Sequence, residues 1–421
     1  MRRTLLHGVL LAALGLVAVA CNAIVGITDV RLRADAGKAT ADGGVEDPDA
    51  AIDDDSGQPV VRTGLLVSGG DGHTCAKLKD GPVKCWGDNS QGQLGSGADF
   101  STVAKLPVPV VQLTDANRVC SGYKHSCAVR LDGTVACWGF NLNGQLGDGN
   151  TSSRSAVPVV VDLKAVSQIA CGGNFTCAVT RAGGVSCWGG NGSGQLGNGT
   201  SGGGSAIPVA TKLTTAASIA AGEKHACAVL TTGRVACWGA NESGQLGTGS
   251  TSPELEPREL PPSLPDVAEI AAGQAFTCAR TVGKGVKCFG ANNAGQLGTN
   301  SLTPTTSSSA LTVQGVADAV SIAAGNEHAC VAQASGKVVC WGSNARGQLG
   351  NGVIADGGIA ANPLAVTVVG VTDAVTVGAG GLHTCAANSA TTVKCWGAND
   401  LGQIGNDSQT IAYVATTVKS L

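Results

Sequence analysis

Seven times along the chain a segment of the kind seen at 225–247, HACAVLTTGRVACWGANESGQLG, returns with two cysteines in the same places. The aromatic residue after the second cysteine stands at Trp86, Trp138, Trp188, Trp238, Phe289, Trp341 and Trp396, so the period runs from 50 to 55 residues. A period of that size restricts the fold to a solenoid or a propeller, because each unit buries its faces only against its neighbours. The text inside one unit decides between them. In the fourth, ASIAAG closes on Gly222, HACAVL leads to the turn TTGR, VACWG follows, and the Gly-rich loop ANESGQLG ends the pattern. Together with the apolar stretch that follows such loops, this reads as four short strands separated by turn chemistry, with no segment periodic enough for a helix. The expected fold is all-β, a seven-bladed β-propeller of four-stranded blades. Glycine at 63 of 421 residues, without a collagen period, suits a chain with that many tight turns.

The seven cysteine pairs are Cys75 with Cys85, Cys127 with Cys137, Cys177 with Cys187, Cys227 with Cys237, Cys278 with Cys288, Cys330 with Cys340 and Cys385 with Cys395. Each pair is ten positions apart with a turn midway, such as LDGT at 131–134, so a hairpin centred there sets the two cysteines opposite each other. Such partners lie about 4.5 Å apart at Cα, within disulfide range. Closing each short loop is worth roughly 2.5–3 kcal/mol in the chain-entropy picture. Zinc sites use closer pairs, of the C-x-x-C type, so no metal is expected here. Cys120 and Cys171 fall in the innermost strands of blades two and three, one position out of step. A bridge between blades and two buried thiols both remain open for them.

The consensus G-x-x-H-x-C-A … G-x-V-x-C-W-G-x-N-x-x-G-Q-L-G resembles the regulator of chromosome condensation repeat over residues 64–421. Asn89, Asn141, Asn191, Asn241, Asn292, Asn344 and Asn399 hold its Asn place, and Gln93, Gln145, Gln195, Gln245, Gln296, Gln348 and Gln403 its Gln place. Phe289 departs from it by replacing Trp, and Ile404 by replacing Leu. The resemblance implies a seven-bladed propeller. It implies no single activity, because relatives do different jobs, and the founding member's nuclear exchange role does not suit an exported chain. The C-terminal YVATTVKSL aligns with stretches such as LPVPVVQL. The expectation is that this last strand, over 412–420, completes the first blade and joins the chain's ends.

The N-terminus predicts export. MRRTLLHGVLLAALGLVAVAC has a basic start, an apolar run too short to span a bilayer, and small residues before a cysteine. Residues 1–20 read as a signal peptide, and AVAC as a bacterial lipobox that would leave Cys21 lipid-modified; an ordinary secretory signal with Cys21 incidental is the alternative. Residues 21–63 include DGGVEDPDAAIDDDSGQP, which is acidic and poor in large apolar groups, and read as a disordered tether rather than a calcium loop. The expected place is the bacterial cell envelope, at the outer membrane or cell surface, with disulfides formed outside the reducing cytoplasm. A net charge of −3 offers no basic stripe for nucleic acid.

The recurring residues that could carry chemistry read as scaffold. His73, His125, His225, His328 and His383 precede the first cysteine by two, but Phe175 and Phe276 hold the same place, which marks it as a packing position. The tryptophans sit at repeat core positions. The Gly-Gln-Leu-Gly loops lack the lysine and helix of a phosphate cradle. No nucleophile, paired carboxylate or cofactor motif recurs, so no catalytic residue and no cofactor is expected. Residues that packing does not require are the better guide. Tyr123 stands where other blades have Asp71, Gly173, Glu223, Gln274, Asn326 or Gly381, and Phe140 where they have Asp88, Gly190, Ala240, Ala291, Ser343 or Ala398. Both should emerge at one end of blade two as binding anchors. The connections GSTSPELEPRELPPSLPD and NGVIADGGIAANP are further candidates to shape a partner surface. The functional expectation is a monomeric, non-catalytic module that recognises an envelope or extracellular protein or glycan through one propeller face. A hydrolase or lyase, a structural envelope component and a secreted-type enzyme inhibitor are the alternatives.

Overall fold

The computed structural model describes residues 64–100, 102–264, 266–353 and 361–421. The expected signal peptide, Cys21 and the tether lie outside the described residues, as does 354–360 within NGVIADGGIAANP. Among the described residues, 28 strands form seven antiparallel sheets of four, each built in chain order. The blades cover 66–109, 116–161, 166–210, 216–259, 267–312, 319–367 and 376–417. Each second strand, such as β6 (His125–Arg130), is buried along almost its whole length because blades cover both of its faces. This is why the repeat's second and third strands read as continuous apolar and cysteine text rather than as alternation.

The core lies between consecutive blades. Leu94, Cys75 and Cys85 of blade one, for example, pack with Ala128 and Trp138 of blade two. Each Gly-Gln-Leu-Gly loop, with Ile404 for Leu in the last, seats the core aromatic of the next blade, a tryptophan in six cases and Phe289 after Gly247. At Gly147 the backbone is left-handed (φ +73°), and a Cβ there would stand 2.6 Å from Trp188 Nε1, so both conformation and space demand glycine.

The closure differs from the expectation. Strand β28 (Ala412–Thr417) pairs with β27 (Val393–Gly397) of its own blade, while β4 (Ala104–Pro109) already completes blade one. Seven loops each feed one outer strand, so the last outer strand belongs to the last blade and no strand crosses over. The ring is instead closed by contacts of the kinds that recur at most of the other joints. Trp86 Nε1 of blade one donates to Gln403 O of blade seven at 2.9 Å, and His383 Nε2 meets Thr74 Oγ1 at 2.7 Å.

Candidate binding face

The repeated histidines belong to the joints between blades. Nε2 of His73, His125, His225, His328 and His383 lies 2.7–2.9 Å from a hydroxyl of the next blade, on Ser126, Thr176, Thr277, Thr384 and Thr74 in turn. Each hydroxyl donates onward to a loop carbonyl, of Gln93, Gln145, Gln245, Gln348 and Gln403 respectively. With its proton committed there, the hydroxyl accepts from Nε2–H, which fixes the tautomer and leaves Nδ1 as a bare lone pair. That Nδ1 has no partner in any of the five. Burial lowers the imidazole pKa from 6.5 to about 3 in His73, His125 and His328, and to about 4 in His225 and His383. These are neutral structural histidines. Where Phe175 and Phe276 replace histidine, the facing residue of the next blade is Ala226 or Ala329 in place of a hydroxyl. The swap was readable in the repeats, at the residue after the histidine place one period on.

The Asn and Gln places brace the loops. Asn141 Oδ1 accepts from Leu146 N and Gln145 Oε1 from Asn143 N, and the arrangement recurs around the ring. Every hairpin cysteine pair is bonded, with Cα separations of 4.0–4.1 Å: Cys75 to Cys85, Cys127 to Cys137, Cys177 to Cys187, Cys227 to Cys237, Cys278 to Cys288, Cys330 to Cys340 and Cys385 to Cys395. Cys120 and Cys171, for which the sequence left a bridge and free thiols open, form an eighth disulfide between blades two and three, at a Cα separation of 5.5 Å.

What the scaffold leaves over gathers at one end of the disc. In an antiparallel four-stranded blade the first-to-second turns and the third-to-fourth loops share that end. The turns meet at the axis around a ring of seven glycines. A Cβ on Gly122 would stand 2.4 Å from Gly172 O, and one on Gly380 2.4 Å from Gly70 O, so no side chain fits. The cavity above this ring measures about 60 Å³, room for a few waters but far below the several hundred Å³ of a small-molecule site.

Tyr123 lines that axial cavity, half-buried, and does not stand out as an exposed anchor. Its ring passes over Gly173, and its phenol reaches Glu223 of blade four and Gln274 of blade five. Burial raises the phenol pKa, the facing carboxylates of Glu223 and Asp71 raise it further, and the Gln274 amide pulls the other way. Phe140 is also half-buried, at the end of the third strand, where its N–H donates to Lys124 O at 2.8 Å. The two aromatics share an end of blade two, but only Tyr123 lines the cavity.

A second depression on the same face, of about 320 Å³, runs between blades two, three and four. Blade three makes it by omission. Gly190 and Gly192 stand where blade two has Phe140 and Leu142, and Gly203 and Gly204 where it has Ser153 and Arg154. Nothing lies within 4 Å of a Cβ built on Gly192 or Gly203. The walls are Asn143, Asn174, Glu223 and Lys224, the last two paired at 3.2 Å, so the groove is polar with balanced charge. Leu142, next to Asn143, is 60% exposed and is the large apolar side chain nearest in sequence to the groove wall. Glu223 lines both the groove and the axial cavity and so joins them.

Among known proteins, residues 44–367 match the profile of the RCC1-like domain. Protein pim1 of Schizosaccharomyces pombe is 36% identical over 111 residues, which is 24% of this chain and 21% of that protein. The probable E3 ubiquitin-protein ligase HERC6 of Homo sapiens is 39% identical over 95 residues, 22% of this chain and 9% of that protein. The chain thus spans about a fifth or less of the curated relatives it matches. The crystal structure of Kap60 bound to yeast RCC1 (Prp20) superposes with a TM-score of 0.72 at 22% identity, over 81% of this chain and 84% of that one. At that identity the likeness carries the fold alone.

Proposed function

We propose that this chain, which belongs to the RCC1-like domain family, is a non-catalytic binding module that meets a protein or glycan of the bacterial envelope with the face that carries its first-to-second turns. The groove of blade three carries this reading. It is the place on that face where the repeat withholds side chains, and a glycine floor allows the main chain or ring of a ligand to approach closely. Carboxamides of Asn143 and Asn174 offer donors and acceptors together, which suits peptide groups or sugar hydroxyls better than a charged ligand. Leu142, exposed beside Asn143, adds apolar area next to it, and Glu223 links it to the axial cavity that Tyr123 lines. The five repeated histidines are buried, neutral and committed to the joints, which favours binding over acid–base chemistry on this scaffold. The export signal, Cys21 and the acidic tether expected from the sequence would hold a monomeric disc off the membrane, in a compartment where its disulfides form.

The test presents the full chain to an array of envelope polysaccharides and a library of extended peptides. Gly192→Leu gives blade three the residue of blade two and fills the groove; Glu242→Leu makes the same change on blade four as a control. A ligand held saturably by the parent and the control, and weakened at least about tenfold by Gly192→Leu, supports the reading. Equal binding by all three, or none, overturns it.

A further inference from the structure

In six blades the residue opposite the second-strand cysteine on the innermost strand carries no thiol. The partners are Ser68, Ala170, Ala220, Ala271, Ala323 and Gly378. In blade two the partner is Cys120, on β5 (Ala116–Ser121), directly opposite Cys127 on β6. Cys127 is also directly opposite Cys137 on β7 (Val135–Phe140), to which it is bonded. One sulfur therefore stands between two cysteines in a single ladder. The sulfurs of Cys120, Cys127 and Cys171 all lie within 4.8 Å of one another. The four cysteines make a line, Cys171–Cys120 then Cys127–Cys137, in which a bonded pair abuts a bonded pair. Access falls along that line: Cys171 lines the axial cavity and is partly exposed, Cys120 is 7% exposed, and Cys127 and Cys137 are sealed.

We propose that blade two holds a thiol–disulfide exchange site, with Cys171 as the entry sulfur and an external thiol as co-reactant. The external thiolate attacks Cys171 Sγ, the Cys120–Cys171 bond breaks, and its electron pair leaves on Cys120. Cys171 then carries the incoming group as a mixed disulfide. The Cys120 thiolate attacks Cys127 Sγ, a Cys120–Cys127 bond forms, and the Cys127–Cys137 bond breaks with its electron pair on Cys137, which takes up a proton. Each step trades one disulfide for another, so no oxidant is consumed. The new bond joins direct cross-strand partners, the relation that all seven hairpin disulfides share. Cys171 becomes a covalent attachment point for a thiol-bearing molecule at the mouth of the axis, beside Tyr123. Blades two and three lose their staple, while blade two keeps one internal disulfide.

The oxidised full chain is exposed to glutathione, trapped with an alkylating agent and mapped by mass spectrometry after trypsin, which cuts at Lys124 and Arg130 and so separates Cys120, Cys127 and Cys137. The expected products are glutathione on Cys171, a Cys120–Cys127 linked peptide and alkyl on Cys137. They should appear at least about tenfold faster than opening of the other six hairpin disulfides, since exchange follows access to sulfur. In Cys120→Ser, Cys171 has no disulfide to exchange and should take the alkylating agent as a free thiol, with no glutathione on it, while Cys127–Cys137 stays closed. Absence of the Cys120–Cys127 link in the parent, or opening of Cys127–Cys137 in Cys120→Ser at the parent's rate, would overturn the proposal.

Discussion

Each loop glutamine carbonyl keeps at least one side-chain donor, and two alternative residues supply it. Gln195 O receives Trp238 Nε1 at 3.0 Å, opposite Ala226, whereas Gln245 O receives Thr277 Oγ1 at 2.8 Å, opposite Phe289. Gln348 O receives both Trp396 and Thr384. Thr277→Ala should therefore cost more than Thr384→Ala, by about 1–3 kcal/mol in denaturant unfolding, because it strips a buried acceptor of its side-chain donors. Adding His328→Phe to Thr384→Ala should recover stability, since Phe175 with Ala226 is the chain's own version of that joint. The histidines also set a pH dependence. Their pKa values are depressed on folding, so the unfolded chain binds more protons below pH 6.5, and stability falls as pH drops from there toward 3–4. At pH 5 the loss is about 2 kcal/mol per histidine. Calorimetry should show Tm falling steeply from pH 7 to 5 and level from pH 7 to 8. The sequence places the histidines in packing positions through Phe175 and Phe276; their partners escaped because they lie a whole period away.

At the scale of the strand and hairpin, most of the design is readable. Ten-residue spacing around a turn brings cysteines opposite, and the observed register pairs each set directly, Cys177 with Cys187, Cys278 with Cys288 and Cys330 with Cys340 among them. Replacing both members of one pair, as in Cys227→Ala with Cys237→Ala, should lower stability by about 2–3 kcal/mol. The fate of Cys120 and Cys171 was not readable, because alternation governs one sheet and their contact joins two. Their strands belong to adjacent blades that converge on the axis, where residues one step out of register meet. The groove was missed for another reason. Tyr123 and Phe140 stand out as side chains the other blades lack, but the groove is written in side chains that blade three lacks, at Gly190, Gly192, Gly203 and Gly204.

For the whole molecule, the seven-fold count followed from the period and the four-strand unit from the turns inside one repeat, while the manner of closure did not. An outer-strand motif at the C-terminus fits a strand crossing to blade one and a strand staying in blade seven equally well; the pairing of β28 with β27 settles it. Closure then rests on the axial glycine ring and the blade-seven to blade-one joints. Gly380→Ala, whose Cβ would stand 2.4 Å from Gly70 O, should destabilise the entire disc, seen as one cooperative shift of the unfolding curve. The proposed binding role and the envelope setting expected from the sequence share one requirement with the stapled blades, an oxidised chain outside the cytoplasm. The direct measurement is the intact mass of the protein isolated from its cells after alkylation without reduction. The prediction is a chain that begins at a lipid-bearing Cys21, with none of the sixteen cysteines from Cys75 to Cys395 alkylated. A chain that retains Met1 and takes alkyl on those cysteines would contradict it.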